Sequence, residues 1–421
     1  MKTTPAVVAL TICLSAPARG QDVATGDAVT LAQAIAIALE REPAARAARA
    51  DLEAARGMRL QASLRANPTV SLERREEPRG SDSSTDIGIE WPLELFRRGP
   101  RVAIAEGERR VAEHEEADVR RQLGGDVAQA YGEVAAAYRE LGIIDEVLAA
   151  ATSQLDLLRA RATQGAAPTL DRDVADVEVR RIQADRLAAS GRSDRALLRL
   201  KRLMGLSPEM TLRPGQSLEE LTAPVVPSPV PPVRPDVLAA EARVSAAESR
   251  VAAARMDARP DVTLFGSYMR MDAGFPQQGF SVGGGLEQVR GRFNYLSAGA
   301  MISLPLWNRQ QGAIAAAAAA REGAIARMEA TRLTAAADVA EARVGYDQAR
   351  AAVSLYEDGI RPVARRNLET IRETYQLGRA TIFDVLAEQR RYLETERAYT
   401  EALSDAHASR VRLLRALGEF P

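Results

Sequence analysis

Gly165-Ala166-Ala167-Pro168-Thr169-Leu170-Asp171 and Gly378-Arg379-Ala380-Thr381-Ile382-Phe383-Asp384 begin on the same glycine and end on the same aspartate, 213 positions apart. Each reads as a bend between two helical runs. The glycine ends one helix in a left-handed conformation, Thr381 caps the next, and the aspartate favours that helix's positive N-terminal end. A bend used twice in 421 residues points to a duplicated unit. The offset of 213 holds outward from it: Pro92 and Leu93 match Pro305 and Leu306, Gly99 matches Gly312, Gly132 matches Gly345, and Gly205 and Pro208 match Gly418 and Pro421. Upstream the offset is 192, with Pro43, Pro68, Val70 and Leu72 matching Pro235, Pro260, Val262 and Leu264. The second copy therefore carries 21 extra residues between Leu264 and Pro305, the difference of the two offsets.

Each copy has the same internal order. A short helix comes first; in copy one Thr30 and Gln33 form a capping box ahead of the stripe Leu31, Ala34, Ile35, Ala38 and Leu39. Two alternating segments follow. Ile87, Ile89 and Trp91 alternate with Gly88 and Glu90, while Leu296, Ala298, Ala300, Ile302 and Leu304 alternate with Ser297, Gly299, Met301 and Ser303. These are strands with one apolar and one polar face, near 69 to 75, 84 to 94, 261 to 271 and 294 to 304. After Gly99 and Gly312 the pattern is uninterrupted helix for roughly 64 residues, about 95 Å at 1.5 Å per residue. Past the bends, helices return to Gly205 and Gly418, and Val385, Tyr392, Tyr399, Ala406 and Leu413 recur at the seven-residue spacing of a coiled-coil seam. Between the copies, Pro208, Pro214, Pro224, Pro227, Pro229, Pro231 and Pro232 predict an extended, non-helical connector.

The first twenty residues predict an export signal: Lys2, an apolar stretch from Ala6 to Leu14, then small residues that permit cleavage after Ala18 or Gly20. Cys13, the one cysteine, lies inside it, so the mature chain has no lipidation site and no disulfide. Removing Lys2 and Arg19 leaves 54 basic against 57 acidic residues, a net charge of −3 that argues against a nucleic-acid partner. No apolar run is long enough for a membrane-spanning helix, so a membrane crossing falls to the strands. Four strands are too few to close a membrane barrel, and an open edge in lipid leaves backbone groups unpaired. Several copies must pool their strands.

Taken together, the signal, the duplication, the strand pairs after Pro68 and Pro260 and the bends at Gly165 and Gly378 resemble the TolC-type outer-membrane factor family over nearly the whole mature chain. The resemblance implies a mainly α fold with a membrane β-barrel: a homotrimer pooling four strands per protomer into a 12-stranded barrel, above a tunnel of long antiparallel coiled-coil hairpins. It implies a Gram-negative outer-membrane location, contact with outer-membrane lipid, and a role as the passive channel of a tripartite efflux system, with a periplasmic adaptor and an inner-membrane pump as partners. A type I protein-secretion conduit remains the alternative within this architecture, and a periplasmic coiled-coil adaptor or scaffold the alternative outside it. The expected segments are the signal (1–20), N-terminal periplasmic helices (21–66), first β-hairpin (67–98), first helical hairpin (99–205), linker (206–233), second short helix (234–259), second β-hairpin with an extracellular loop (260–308) and second helical hairpin (309–421).

By the same resemblance, the tip residues Gly165, Asp171, Tyr375, Gly378, Thr381 and Asp384 form the closed periplasmic entrance. The position of Asp384 lines a constriction, and those of Asp171 and Tyr375 link neighbouring hairpins. Two gate positions depart from the family, with Ala380 in place of a linking arginine and Ala387 in place of a second constriction acid. The plainer reading of the bends is helix termination and capping alone. Trp91 and Trp307 lie at the helix-proximal ends of strands, where interfacial anchoring suits them; core packing is the competing reading. The glycine-rich stretch from Asp272 to Phe293 reads as a mobile extracellular loop, lacking the lysine and following helix of a phosphate-binding loop. His114 and His407 are far apart without metal-ligand spacing and read as solvated helix residues. No cofactor or metal is expected. Without a mature cysteine, nucleophile elbow or histidine cluster, the sequence offers little material for catalysis. Met269 and Met271 do not by themselves indicate a metal cargo.

Overall fold

The computed structural model describes residues 28–78, 82–166, 168–224 and 233–420. The export signal, Ala167 of the first bend, the linker prolines from Pro227 to Pro232, and Pro421 lie outside the described residues. In chain order come β1 (Ala28–Val29), α1 (Leu31–Arg41), α2 (Pro43–Ser63), β2 (Thr69–Glu76), β3 (Ser83–Pro92), α3 (Arg98–Thr163) and α4 (Thr169–Leu203). After the first copy come β4 (Arg213–Pro214), α5 (Leu218–Leu221), α6 (Pro235–Asp257), β5 (Asp261–Phe280), β6 (Leu286–Ser303), α7 (Gln311–Leu355), α8 (Arg361–Gln376) and α9 (Ile382–Leu417).

Strands β2, β3, β5 and β6 form one antiparallel sheet in that order, so each edge strand has one open side. Register brings the alternation of each strand into common rows. Val70, Ile89, Gly266 and Ala298 lie side by side; Leu72, Ile87, Tyr268 and Leu296 form the next row, and Trp91, Leu264 and Ala300 the one below. The opposite face carries Ser71, Gly88, Ser267 and Ser297, then Glu73, Asp86, Met269 and Tyr295. A slip by one residue in any strand would turn its whole apolar set to the polar side.

The stretch from Asp272 to Phe293 is a correction to the expected loop. Strands β5 and β6 run on to Phe280 and Leu286, with a shift between Gly274 and Gln278. Only a tight turn joins them, closed by Ser281 N donating to Gly285 O at 2.8 Å with Gly284 at φ +80°. The polar composition concealed these strands, because backbone pairing needs no apolar alternation once a ribbon leaves an apolar environment.

The long helix of the first copy is continuous over 66 residues. Its counterpart is not, which corrects the second expectation of uninterrupted helix: a π-turn, Tyr356–Ile360, separates α7 from α8. Pro362 follows immediately. Its ring cannot donate to the helical ladder and crowds the preceding turn, and the widened turn accommodates that crowding. The linker holds a third correction. Between Pro214 and Pro224, Ser217 caps the one-turn helix α5 by accepting from Glu220 N at 3.2 Å, and Leu218 and Leu221 are buried. Proline spacing here leaves room for one turn.

The helices form a layer. On the side near the sheet the row runs α2, α3, α6, α7; toward the bends it runs α4, α3, α9, then α7 and α8. Two cores hold it. The first gathers α1, the middle of α3, α5 and the end of α4 around Tyr131, whose hydroxyl donates to Val29 O at 2.7 Å and accepts from Gly215 N at 3.0 Å. That bond joins β1, β4 and the long helix at the seam of the two copies. The second core lines the hairpins, with Ile144, Val147, Leu155 and Leu158 of α3 against Val179 and Ile182 of α4 and Ile382, Leu386 and Leu393 of α9. The heptad reading of α9 holds: Val385, Tyr399, Ala406 and Leu413 are buried, and Tyr392 packs at the edge of the second core.

Candidate functional site

The two bends have the same construction. At the first, Ala166 N donates to Arg161 O at 2.8 Å and Gly165 N to Ala162 O at 3.0 Å, with Gly165 at φ +72°. At the second, Arg379 N donates to Thr374 O at 3.0 Å and Gly378 N to Tyr375 O at 2.9 Å, with Gly378 also at φ +72°. Each glycine thus satisfies the last carbonyls of its helix in a conformation that a side chain would strain.

Past the glycines the bends differ. Thr381 Oγ1 accepts from Asp384 N at 3.3 Å, and Asp384 Oδ2 accepts from Thr381 N at 2.9 Å and from Thr381 Oγ1 at 2.7 Å. This reciprocal cap, together with the helix's positive end, suits an ionised carboxylate. The Thr381 hydroxyl, then its backbone N–H, hold the exposed Asp384 below its ordinary pKa. At the first bend Pro168 occupies the cap position and makes no side-chain cap. Asp171 is left without that task and lies close enough to Tyr375 for its charge to raise the phenol's pKa, after burial, which is the larger cause. No hydrogen bond joins the two in this single chain. The structure therefore brings Asp171 and Tyr375 together across the hairpins, while Asp384 and Ala387 line a groove of about 390 Å³ with Asn367, Thr370, Ile371, Glu388 and Arg391.

Above the tips, α9 is tied to the first hairpin by ion pairs absent from the sequence reading. Arg390 Nε donates to the buried Glu178 at 3.0 Å, and Arg397 Nη2 to Asp185 at 2.9 Å. At the level of the π-turn, Glu396, only 4% exposed, accepts from Arg361 Nε at 2.9 Å and Arg139 Nη2 at 3.1 Å. Both guanidinium groups lie within cation–π distance of the Tyr399 ring, Arg139 at 4.7 Å and Arg361 at 4.0 Å, and the Tyr399 hydroxyl donates to Glu357 Oε1 at 2.7 Å. Burial first, and this bond second, push the Tyr399 pKa up. The one visible signal was Gly359 with Pro362 inside a helical pattern, which marks a break without revealing its partners.

His407 is another correction: it is 1% exposed, with Nε2 at 2.8 Å from Ala128 O and Nδ1 at 3.4 Å from Leu221 O. Gly132 makes the room, since a Cβ there would stand 2.6 Å from His407 Nε2. Desolvation lowers the imidazole's pKa, outweighing the two carbonyls.

Both tryptophans lie at the helix-proximal end of the sheet. Trp91 continues the apolar face and donates from Nε1 to Ala66 O at 3.2 Å, while Trp307, past the end of β6, is 88% exposed. Neither is core.

Comparison with known proteins gives a consistent result. The family model described as outer membrane efflux protein matches residues 34–206 and 233–419. The chain is 27% identical over 414 residues to outer membrane protein OprJ of Pseudomonas aeruginosa, covering 92% of this chain and 84% of OprJ. It is 28% identical over 259 residues to the nickel-cobalt-cadmium resistance protein NccC of Alcaligenes xylosoxydans xylosoxydans, covering 61% and 55%. Among solved structures, CusC superimposes with a TM-score of 0.73 at 20% identity, covering 92% of each chain. The outer membrane protein VceC of Vibrio cholerae gives 0.71 at 23%, covering 92% of this chain and 96% of VceC.

Proposed function

Because this chain belongs to the outer membrane efflux protein family, we propose that three copies close into one duct, whose barrel pools twelve strands and whose helical layers form the tunnel beneath. The protein is an outer-membrane channel component of a tripartite efflux system, with its helical part in the periplasm. Its fold is mainly helical, with strands that contribute to a membrane barrel. The chain conducts passively, and its cargo is selected by the inner-membrane pump and the periplasmic adaptor.

The observation that carries the closure is α7. Of its 45 residues only Ala324, Ala335 and Tyr346 are buried, although the helix is dominated by alanine. At the row's other ends, Met58 and Leu60 of α2, Val177 and Leu187 of α4, and Ile360 and Val363 at the π-turn and α8 are exposed. A layer with apolar ends α2 and α4 on one side and α7 and α8 on the other is complementary to its own copy, head to tail, and such a contact forms a ring where the rotation between copies closes. The sheet makes the same demand, since β2 and β6 each present an unpaired edge that lipid cannot satisfy.

In the closed ring the hairpin tips face the periplasm. Asp384, repeated three times, forms the anionic collar of the entrance, and Asp171 with Tyr375 holds adjacent hairpins together. Trp91 and Trp307 anchor the sheet at the periplasmic surface of the membrane. Native mass measurement of the detergent-extracted mature protein, with conductance in a planar bilayer, tests the assembly. Three-chain particles that conduct are expected; a stable single chain that conducts would overturn the closure.

A further inference from the structure

Above the apolar rows, on the same face of the sheet, charge changes abruptly. The row after Leu72, Ile87, Tyr268 and Leu296 is Arg74, Thr85, Arg270 and Asn294. The next is Glu76, Ser83, Asp272 and Arg292, and above it Arg290 pairs with Gly274. Four arginines thus face two carboxylates. Glu76 engages Arg74, Nε to Oε1 at 2.6 Å, and Asp272 engages Arg292 Nε at 2.8 Å. Arg270 and Arg290 make no hydrogen bond or ion pair among the described residues, although the Arg270 charge also acts on Asp272, whose direct partner is Arg292. Asn294 Oδ1 accepts from Tyr268 at 2.8 Å, which leaves its amide nitrogen as an outward donor. On the opposite face at this level, Arg75 is paired with Glu73 at 3.0 Å. The unmatched positive charge is therefore confined to the side that carries the apolar rows.

We propose that Arg270 and Arg290, with Arg74, Arg292 and Asn294 beside them, form a binding surface for the phosphate groups of an acylated glycolipid in the outer leaflet of the outer membrane. The surface has two parts, as such a lipid has. Its acyl chains lie on Leu72, Ile87 and Leu296, which are exposed; its phosphates meet Arg74 and Arg270 one row higher, about 7 Å along the strand, and Arg292 and Arg290 two and three rows higher, about 14 and 20 Å. Guanidinium pairs with phosphate in a two-bond fork, and the planar group is weakly hydrated, so it suits the boundary between hydrocarbon and water. A free phosphate ion has no counterpart for the apolar rows, and at so exposed a site salt would screen it. The inference rests on the outer-membrane placement and on the apolar face being the lipid face.

The experiment counts bound bisphosphorylated, hexa-acylated lipid A on the assembled channel in detergent by native mass spectrometry. Arg270→Gln with Arg290→Gln should weaken binding roughly tenfold or more, given two charges removed at a membrane surface. Arg270→Lys with Arg290→Lys, which keeps the charge but loses the fork, should fall between the unaltered channel and the double glutamine variant, and Arg75→Gln, on the other face, should leave binding unchanged. On the unaltered channel, lipid A stripped of its phosphates should bind roughly tenfold or more weakly than intact lipid A. That comparison stands even if the variant assembles poorly. Equal binding of stripped and intact lipid, equal loss in Arg75→Gln, or displacement by millimolar inorganic phosphate would overturn the proposal. Misassignment of the lipid face would show separately, as equal assembly of arginine variants on the two faces of β6.

Discussion

Ala300 and Met301 are neighbours on β6 at nearly the same depth and on opposite faces of the sheet, opposed by Leu264 and Thr263 of β5. On the apolar side, the run Leu296, Ala298, Ala300, Ile302 and Leu304 covers eight intervals, about 27 Å along the strand at 3.4 Å per residue. At a tilt near 40° this is roughly 20 Å of depth, close to the apolar band of membrane barrels, and Ala300 is its midpoint. An arginine at the midplane on the lipid face costs about 2 to 4 kcal/mol, so three copies in one barrel lose roughly 6 to 12 kcal/mol if the costs add. Met301→Arg places the same side chain in water. Ala300→Arg should therefore deplete urea-resistant trimers in outer-membrane fractions, while Met301→Arg and Ser303→Arg assemble near the unaltered level; Ile302→Arg, nearer the periplasmic surface, falls between. Equal trimer yields for Ala300→Arg and Met301→Arg would refute the face assignment.

Thr381→Ala should cost about 1 kcal/mol of stability through the lost cap, measured by chemical denaturation, and Thr381→Ser should restore it. Asp384→Asn separates capping from gating: single-channel recording should show a weaker cation preference and weaker block by multivalent cations, whereas capping alone predicts unchanged selectivity. Because Asp384 is held below its ordinary pKa, the cap's stabilisation is complete above pH 4 and is lost only as pH falls through the lowered folded value, so cation preference should persist at pH 5. For His407 the sign is opposite in charge. Its folded pKa lies below the unfolded 6.5, so the unfolded chain binds the proton first, and stability complete above pH 6.5 declines as pH falls toward the folded value. Denaturant midpoints of His407→Gln should lack that decline between pH 7 and 5. Gly132→Ala, which drives a Cβ onto the imidazole, should cost about 1 to 3 kcal/mol at every pH.

The bends at Gly165 and Gly378, the Thr30 and Thr381 caps, the four strands and the seam on α9 were legible in the sequence because each is written within one or two turns of chain. A left-handed glycine, a hydroxyl three residues before a carboxamide or carboxylate, and alternation of two or seven are local signals, and duplication repeated the glycine bends and the strand pairs. The need for further copies was legible too, by counting strands against what a closed barrel requires. Tertiary structure alone decided where distant residues meet. His407 is buried because Gly132, on another helix, has no side chain. The charge of Glu396 is tolerated because α3 and α8 bring Arg139 and Arg361 to it. Residues 272 to 293 pair as strands because the partner backbone is present, not because their side chains alternate. Polar residues on a charged helix look alike in sequence whether they face water or a partner. Only the register of elements far apart in the chain distinguishes them, and the same register aligns four separate alternations into one apolar face with a row of arginines above it.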